Sequence, residues 1–317
     1  MRVVFAGTPE FAVPSLRAVA AQHQVPLVLS QPDRPKGRGR VLEATAVKSA
    51  AVALGLKVLQ PEKIGEAAEM IGALAPDVLV TAAYGQKVPD RVLRLAKHGG
   101  LNVHASLLPR HRGAAPIAYA ILAGDAESGV TIFRMVKEMD AGPVLVRSAF
   151  ALSGDESAGE LEARIASAAA PSLLEALRLL ESGEGRFQEQ DHAKATLAPK
   201  LARADGALDF ARPAVDLARR IRAMTPWPGA AAAFVKPGAK PLRVTVLAAS
   251  PVAGDFGGSP GEVIEVRKDA VRVKTGAGAL DLLRLQPESR KAVSAEEFAN
   301  GFRLRDYGGC RFESPAG

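Results

Sequence analysis

The sequence predicts a two-part α/β protein, with βαβ units on a parallel sheet followed by a small β-barrel. Three observations carry that expectation. Over roughly the first half of the chain, apolar strand-like runs alternate with helix-like stretches, at a spacing that suits right-handed βαβ crossovers. A polar stretch from Glu184 to Asp205 then holds few large apolar residues and reads as a linker. Beyond it, short alternating runs are separated by glycine-rich turns, the pattern of a small barrel. The expected boundaries are 1–185, a linker at 186–205, and 206–317.

The elements follow in order. Arg2 to Phe5 has the unbroken apolar character of a buried strand. Thr8 can cap the next helix, with Pro9 in its first position and Glu10 favourable to its dipole. A strand at Pro26–Ser30, a polar loop, and a helix from about Ala44 to Leu54 come next. Asp77–Ala82 and Leu101–His104 continue the series of strands, and in such sheets ligands bind beyond the strands' carboxyl ends. Ser128–Met135 and Val144–Ala151 read as strands flanking a turn at Asp140. From Asp155 to Ser182, Leu161, Ile165, Leu173, Leu177 and Leu180 recur at helical spacing, and Pro171 is expected to interrupt that helix. In the second part an amphipathic helix spans Arg212–Met224. Short strands follow at Leu242–Ala248, Gly261–Val266, Ala270–Thr275 and Ala279–Leu285. Trp227 reads as packing at the junction of the two parts rather than stacking on a base.

Composition excludes several classes. The chain has 317 residues, enough for two sizeable cores, and its 48% hydrophobic and 24% charged content is that of an ordinary globular protein. No apolar run approaches the roughly 18 residues that cross a bilayer, and the short N-terminal run reads as a strand rather than a signal, so a cytoplasmic protein is expected. One cysteine, Cys310, allows neither an internal disulfide nor a cysteine-based zinc cluster, and no metal is expected. Gly7-Thr8-Pro9 lacks the glycines of a dinucleotide fingerprint, and no Walker sequence appears. A net charge of +7 suits a polyanionic partner, although charge alone decides nothing.

The chemistry concentrates between Gly100 and Leu145. Asn102 and His104 stand two apart in a strand and so share a face, where an amide and an imidazole can converge on one atom. Met139-Asp140-Ala141-Gly142-Pro143 adds a carboxylate at a turn. Together they supply a neutral donor, a proton carrier near physiological pH, and an orienting anion. Taken singly, each residue is as well explained by a satisfied histidine or a turn-forming aspartate. Among the five histidines His104 stands out: His23 and His98 lie in surface-like contexts, His192 in the linker, and His111 between Arg110 and Arg112.

With those neighbours read together, the run Ser106-Leu107-Leu108-Pro109-Arg110-His111-Arg112-Gly113-Ala114-Ala115-Pro116-Ile117 closely resembles the signature of the folate-dependent formyltransferases. The resemblance extends from Phe5-Ala6-Gly7-Thr8-Pro9 to Leu285-Gln286-Pro287 and is nearest the family members that act on aminoacyl-tRNA. It implies a Rossmann-like catalytic domain and a barrel of the oligonucleotide-binding type. It implies transfer of the formyl group of 10-formyltetrahydrofolate to the α-amino group of methionyl-initiator tRNA, by direct attack through a tetrahedral adduct, with no metal, in a monomer. Asn102, His104 and Asp140 are then the catalytic trio; which of His104 and Asp140 is the base stays open. Ser106, Leu107, Leu108 and Pro109 would line the folate pocket, with Tyr84 and Gly85 in a second wall. Arg34, Lys36, Arg38 and Arg40 fall in the family's tRNA-contacting loop, Arg38 foremost. Lys236, Lys240, Arg243, Arg267, Lys268 and Arg272 would make sequence-independent phosphate contacts. Departures are confined to the Asp140 turn, where Ala141 replaces a usual Thr and 136–139 lacks a usual glycine.

Three other readings compete. A small-molecule amine as acceptor would need neither the basic loop nor the barrel. Hydrolysis of formyl-folate belongs to relatives with a regulatory domain ahead of the catalytic one. A non-catalytic RNA-binding protein would have no reason to keep Asn102, His104 and Asp140 together.

Overall fold

A computed structural model describes residues 1–36, 41–306 and 308–315 of the chain, which divides into two compact units. The first comprises Met1–Pro116, Glu127–Ala151 and Glu162–Pro199; the second comprises Ile117–Ala126, Leu152–Leu161 and the chain from Lys200 onward.

In chain order the first stretch gives β1 (Arg2–Gly7), α1 (Val13–Gln22), β2 (Gln24–Leu29), β3 (Arg34–Lys36), β4 (Val41–Glu43), α2 (Ala46–Ala53) and β5 (Val58–Leu59). Next come α3 (Ala68–Ala73), β6 (Val78–Ala82), α4 (Asp90–Leu93), β7 (Gly100–His104), β8 (Arg112–Gly113) and α5 (Pro116–Ala123). They are followed by β9 (Glu127–Arg134), β10 (Val144–Ala151), α6 (Ala158–Ser182) and β11 (Leu197–Ala198). The main sheet runs β10-β9-β7-β6-β1-β2-β5. From β7 to β5 every neighbour is parallel, whereas β9 lies antiparallel to β7 and β10 antiparallel to β9. The sheet is therefore a parallel one extended by a hairpin, because a short turn can join two strands only antiparallel. β1 is buried throughout its centre, with Val3, Val4, Phe5 and Ala6 fully covered, as a strand with helices on both faces must be.

The second unit contributes α7 (Ala214–Ala223), β12 (Ala230–Val235), β13 (Leu242–Val252), β14 (Val263–Val266), β15 (Val271–Lys274), β16 (Ala279–Pro287), β17 (Val293–Ser294), α8 (Ala295–Phe302) and β18 (Arg311–Glu313). Its sheet runs β14-β15-β16-β13-β12-β18. The two ends meet, since Val263 N donates to Cys310 O (3.0 Å) and Phe312 N to Gly261 O (2.7 Å), which closes the barrel and removes its free edges. Phe234 fills the interior against Phe312, Phe298 and Phe302, with ring centroids 5.2–5.4 Å apart. α8 begins with a reciprocal cap in which Ser294 Oγ accepts from Glu297 N and the Glu297 carboxylate accepts from Ser294 N.

Four local expectations change. Thr8 does not cap a helix: its hydroxyl donates to Tyr84 O (2.8 Å), and α1 starts at Val13 with Pro14 in its first turn. Pro171 does not break α6, which runs unbroken for 25 residues. Ile165, Ala169, Leu173 and Leu177 are fully buried on either side of it. Each large apolar side chain contributes about 1.5–3 kcal/mol, so together they outweigh the roughly 3 kcal/mol cost of an internal proline. Trp227 is 54% exposed rather than packed. The expected linker is fastened chain as far as Ala198: Val144 and Gln188 exchange both backbone hydrogen bonds (2.7 and 2.8 Å), and β11 pairs in parallel with β8.

Candidate active site

β7 places the central pair. Asn102 and His104 share a face, and His104 is buried with its ring edge-on to Phe133 (6.3 Å between centroids). His104 Nε2 lies 3.0 Å from the backbone oxygen of His111. A carbonyl can only accept, so Nε2 carries the ring proton and Nδ1 is left bare in the neutral ring. Nδ1 faces Asp140 Oδ2 at 3.7 Å. Burial pushes the His104 pKa below the usual histidine value, opposed by the Asp140 charge and by the bond to His111. Burial thus favours the neutral imidazole, whose Nδ1 lies next to a carboxylate.

Asp140 sits in the left-handed region (φ 51°), which a non-glycine residue adopts only when its surroundings hold it. Two surroundings do so. Gly113 N donates to Asp140 Oδ2 (2.8 Å), and Gln190 Nε2 donates to the backbone oxygens of Asp140 (2.9 Å) and Gly142 (2.7 Å). Asn102 is half-buried on the same strand face, and among the described residues its amide has no hydrogen-bond partner. A donor left open beside a bare imidazole nitrogen can serve a reacting oxygen.

The turn after β7 is tied internally. Ser106 Oγ donates to Arg110 O (2.7 Å), Thr131 Oγ1 donates to Ser106 O (2.7 Å), Leu108 N donates to Thr131 Oγ1 (3.1 Å), and Arg147 Nη2 donates to Leu108 O (2.6 Å). Leu108 is buried with Phe133 and Val144, whereas Leu107 and Pro109 remain partly exposed. The Tyr84 side chain does not face outward. It packs into the core with Ile64, Val88 and Val92, its hydroxyl has no partner among the described residues, and burial raises its pKa to about 12. What Tyr84 offers instead is its backbone oxygen, held by Thr8 Oγ1 and by Gln31 Nε2 (3.2 Å), next to an exposed Gly85 at φ 85°.

The basic loop springs from a pinned base. Asp33 accepts from Lys48 Nζ (2.5 Å) and Gln60 Nε2 (2.7 Å), and Gln60 also donates to Gln31 O (2.7 Å). Arg34 is exposed and pairs with Glu62 (3.2 Å). Lys36 ends β3; its side chain, and all of Arg38 and Arg40, lie outside the described residues. In the barrel, Arg272 and Arg267 clasp Asp281 at 2.7 and 2.5 Å, so these two cations spend their charge internally.

Sequence reasoning passed over four residues that build the site: His111, whose carbonyl fixes the ring of His104; Gly113, whose amide holds Asp140; Gln190; and Thr196, whose hydroxyl accepts from His111 N (2.9 Å). All four act on or through a backbone group, for which side-chain chemistry gives no signal. Gln190 sits in a polar stretch where nothing marks it.

Residues 1–177 match the formyl transferase family model. The chain belongs to the formyl transferase family. Residues 200–303 match the family's C-terminal domain as well. The methionyl-tRNA formyltransferase of Solibacter usitatus is 43% identical over 96% of this chain and 97% of its own length, and that of Myxococcus xanthus is 44% identical over 96% of each. In fold, the chain is similar to HypX from Aquifex aeolicus solved with tetrahydrofolic acid. The TM-score is 0.63 at 21% identity, covering 95% of this chain and 47% of that longer one. It is likewise similar to the N-formyltransferase from Helicobacter canadensis solved with folinic acid and dTDP-3-aminofucose. There the TM-score is 0.65 at 16% identity, covering 88% and 98%. Among the described residues no cluster of three His, Cys, Asp or Glu side chains could hold a metal ion, and no helix is long and apolar enough to cross a membrane.

Proposed function

We propose that the chain transfers the formyl group of 10-formyltetrahydrofolate to the α-amino group of methionyl-initiator tRNA. The observation that carries this reading is the open Asn102 amide on the same strand face as His104, whose Nε2 is engaged by His111 O and whose Nδ1 faces Asp140. The residues also suit a folate. The partly exposed Leu107 and Pro109 offer apolar surface, Gly85 offers backbone unobstructed by a Cβ, and Asn102 offers a donor with no partner among the described residues. Ser106 to Pro109 and Gly85 would hold the group, which when bound supplies an already activated formyl unit.

The chain's own work is then proton and charge management. Asn102 Nδ2 donates to the oxygen on which negative charge develops as the amine attacks, a contribution typically worth about 10²–10³ in rate. His104 Nδ1 would accept the proton that the attacking amine gives up, the imidazolium so formed being held by Asp140 at the distance of an ion pair, and would return it to the departing folate nitrogen as its bond to the formyl carbon breaks. Because Nε2 stays committed to His111, only one ring nitrogen exchanges protons, and it is the one that Asp140 flanks. Arg34 and the basic loop, with the exposed cations of the barrel, serve the tRNA phosphates.

The deciding experiment separates aminoacylated from N-formylated initiator tRNA on acid gels, with 10-formyltetrahydrofolate as donor. Formyl transfer to the charged tRNA is the expected result. Transfer only to a small amine such as an amino sugar nucleotide would overturn the acceptor assignment.

A further inference from the structure

We propose that Gln190 is a positioning residue for formyl transfer, holding the Asp140 turn in register with His104. The proposal rests on the reading of Asp140 as part of the reacting centre. Gln190 is 6% exposed and its amide is fully committed. Its oxygen accepts from Arg112 Nη2 (2.6 Å) and Nε (3.2 Å), and its nitrogen donates to Asp140 O and Gly142 O. One side chain thereby spans 48 and 50 residues of sequence to tie together the two pieces of backbone that meet at the carboxylate.

The second of those pieces starts at Arg112. Its guanidinium grips Gln190, while the next residue, Gly113, donates its N–H to the Asp140 carboxylate. The Asp140 side chain and the Asp140 backbone are thus held by neighbouring residues of one short strand, β8, directly in the first case and through Gln190 in the second. The geometry is a closed loop of hydrogen bonds around a residue in a conformation that local sequence does not favour. Release of the turn at Gln190 leaves the Gly113 bond as its remaining anchor among these contacts, and a shift of about 1 Å in a reacting group can cost on the order of 10² in rate. Only an amide fits the position: the oxygen faces a cation and the nitrogen faces two carbonyls.

The test compares Gln190→Glu and Gln190→Leu with wild type, alone and combined with Asp140→Asn. Glu retains the bond to Arg112 and loses both donors to the turn, so it isolates the contact to Asp140 and Gly142 in a nearly isosteric side chain. Both single variants should lower kcat by about 10–100-fold with KM for folate and for tRNA within about twofold of wild type. In the Asp140→Asn background neither should lower kcat further, because the two changes remove one function. A kcat near wild type in Gln190→Glu, with Asp140→Asn inactive, would overturn the positioning role while leaving the catalytic reading intact. Losses that multiply in the double variant would also overturn it, by making Gln190 a support of the fold at large. If Asp140→Asn is itself fully active, the catalytic reading fails first, and the proposal with it.

Discussion

Gly113 is the point at which stability and catalysis can be perturbed together. It has φ 128°, a region that side chains other than hydrogen rarely enter. A Cβ placed there would overlap the Ala198 carbonyl oxygen and lie 3.0 Å from its carbon. Both atoms are backbone of β11, so no side-chain rotation relieves the clash. In Gly113→Ala, β8 must therefore either move away from β11 or rotate to negative φ, and either change withdraws the N–H from Asp140. The strained conformation costs about 1–3 kcal/mol, and loss of a hydrogen bond to an ionised group adds about 1.5–3 kcal/mol. The sum, roughly 2.5–6 kcal/mol, should lower the midpoint of a circular-dichroism melt by on the order of 10 °C. Below that midpoint kcat should drop about 10²-fold, through displacement of Asp140 from His104. A variant that melts early yet turns over at the wild-type rate would refute the reasoning, since it would separate the Gly113 amide from the placement of the carboxylate.

Other consequences follow from the same geometry. Asn102→Ala should cost about 10²–10³ in kcat, and Asp140→Asn about 10²–10⁴, with folding unchanged by circular dichroism; normal turnover in either would remove that residue from the reacting centre. The pH dependence has a defined sign. His104 has a folded pKa below that of the unfolded chain, so its neutral burial contributes stability above the ordinary histidine value, and this is lost as pH falls through the folded pKa. Denaturant midpoints should thus decline on acidification below about pH 6.5, and His104→Gln should flatten that decline. Tyr84→Phe removes a buried hydroxyl without a partner, so it should leave the protein as stable as wild type or more stable by about 1–3 kcal/mol; clear destabilisation in urea would mean that the hydroxyl is in fact bonded. Replacing Arg34, Lys36, Arg38 and Arg40 by Ala should raise KM for tRNA and flatten its salt dependence, each lost phosphate contact removing roughly 0.7–0.9 from the log–log slope, while KM for folate stays constant.

Much of this protein is legible in its residues because burial and periodicity act locally. The unbroken apolar run of β1, the spacing of Leu173 and Leu177, and the glycine-punctuated strands of the barrel each report the environment in which they sit. Asn102 and His104 were legible as a pair for the same reason, since alternation in a strand fixes which residues share a face. Pro171 misleads because its local penalty is real but smaller than the packing on either side of it. Thr8 misleads because a cap and a bridge to Tyr84 O use the same hydroxyl, and only the tertiary fold decides between them.

The polar stretch before Pro199 shows the deeper limit. Polarity there reads as freedom to extend, yet Gln190 and Thr196 spend their side-chain polar groups on the turns around His104 and Asp140, and Gln188 pairs with Val144 through its backbone. Amphipathic periodicity cannot reveal this, because a hydrogen-bonded strap and a solvated linker have the same composition. What distinguishes them is whether backbone donors and acceptors elsewhere are waiting to be met. The turn at 139–142 carries such a need: a carboxylate residue in a left-handed conformation whose neighbouring carbonyls face inward. Every residue has an amide and a carbonyl, so the sequence cannot say which of them the site will use. Once the His111 carbonyl fixes one nitrogen of His104 and the Gly113 amide fixes one oxygen of Asp140, the remaining nitrogen and the carboxylate can act only on each other and on what binds between them and Asn102. In the proposed reaction the reacting groups are side chains, and their assignment to one proton is made by backbone.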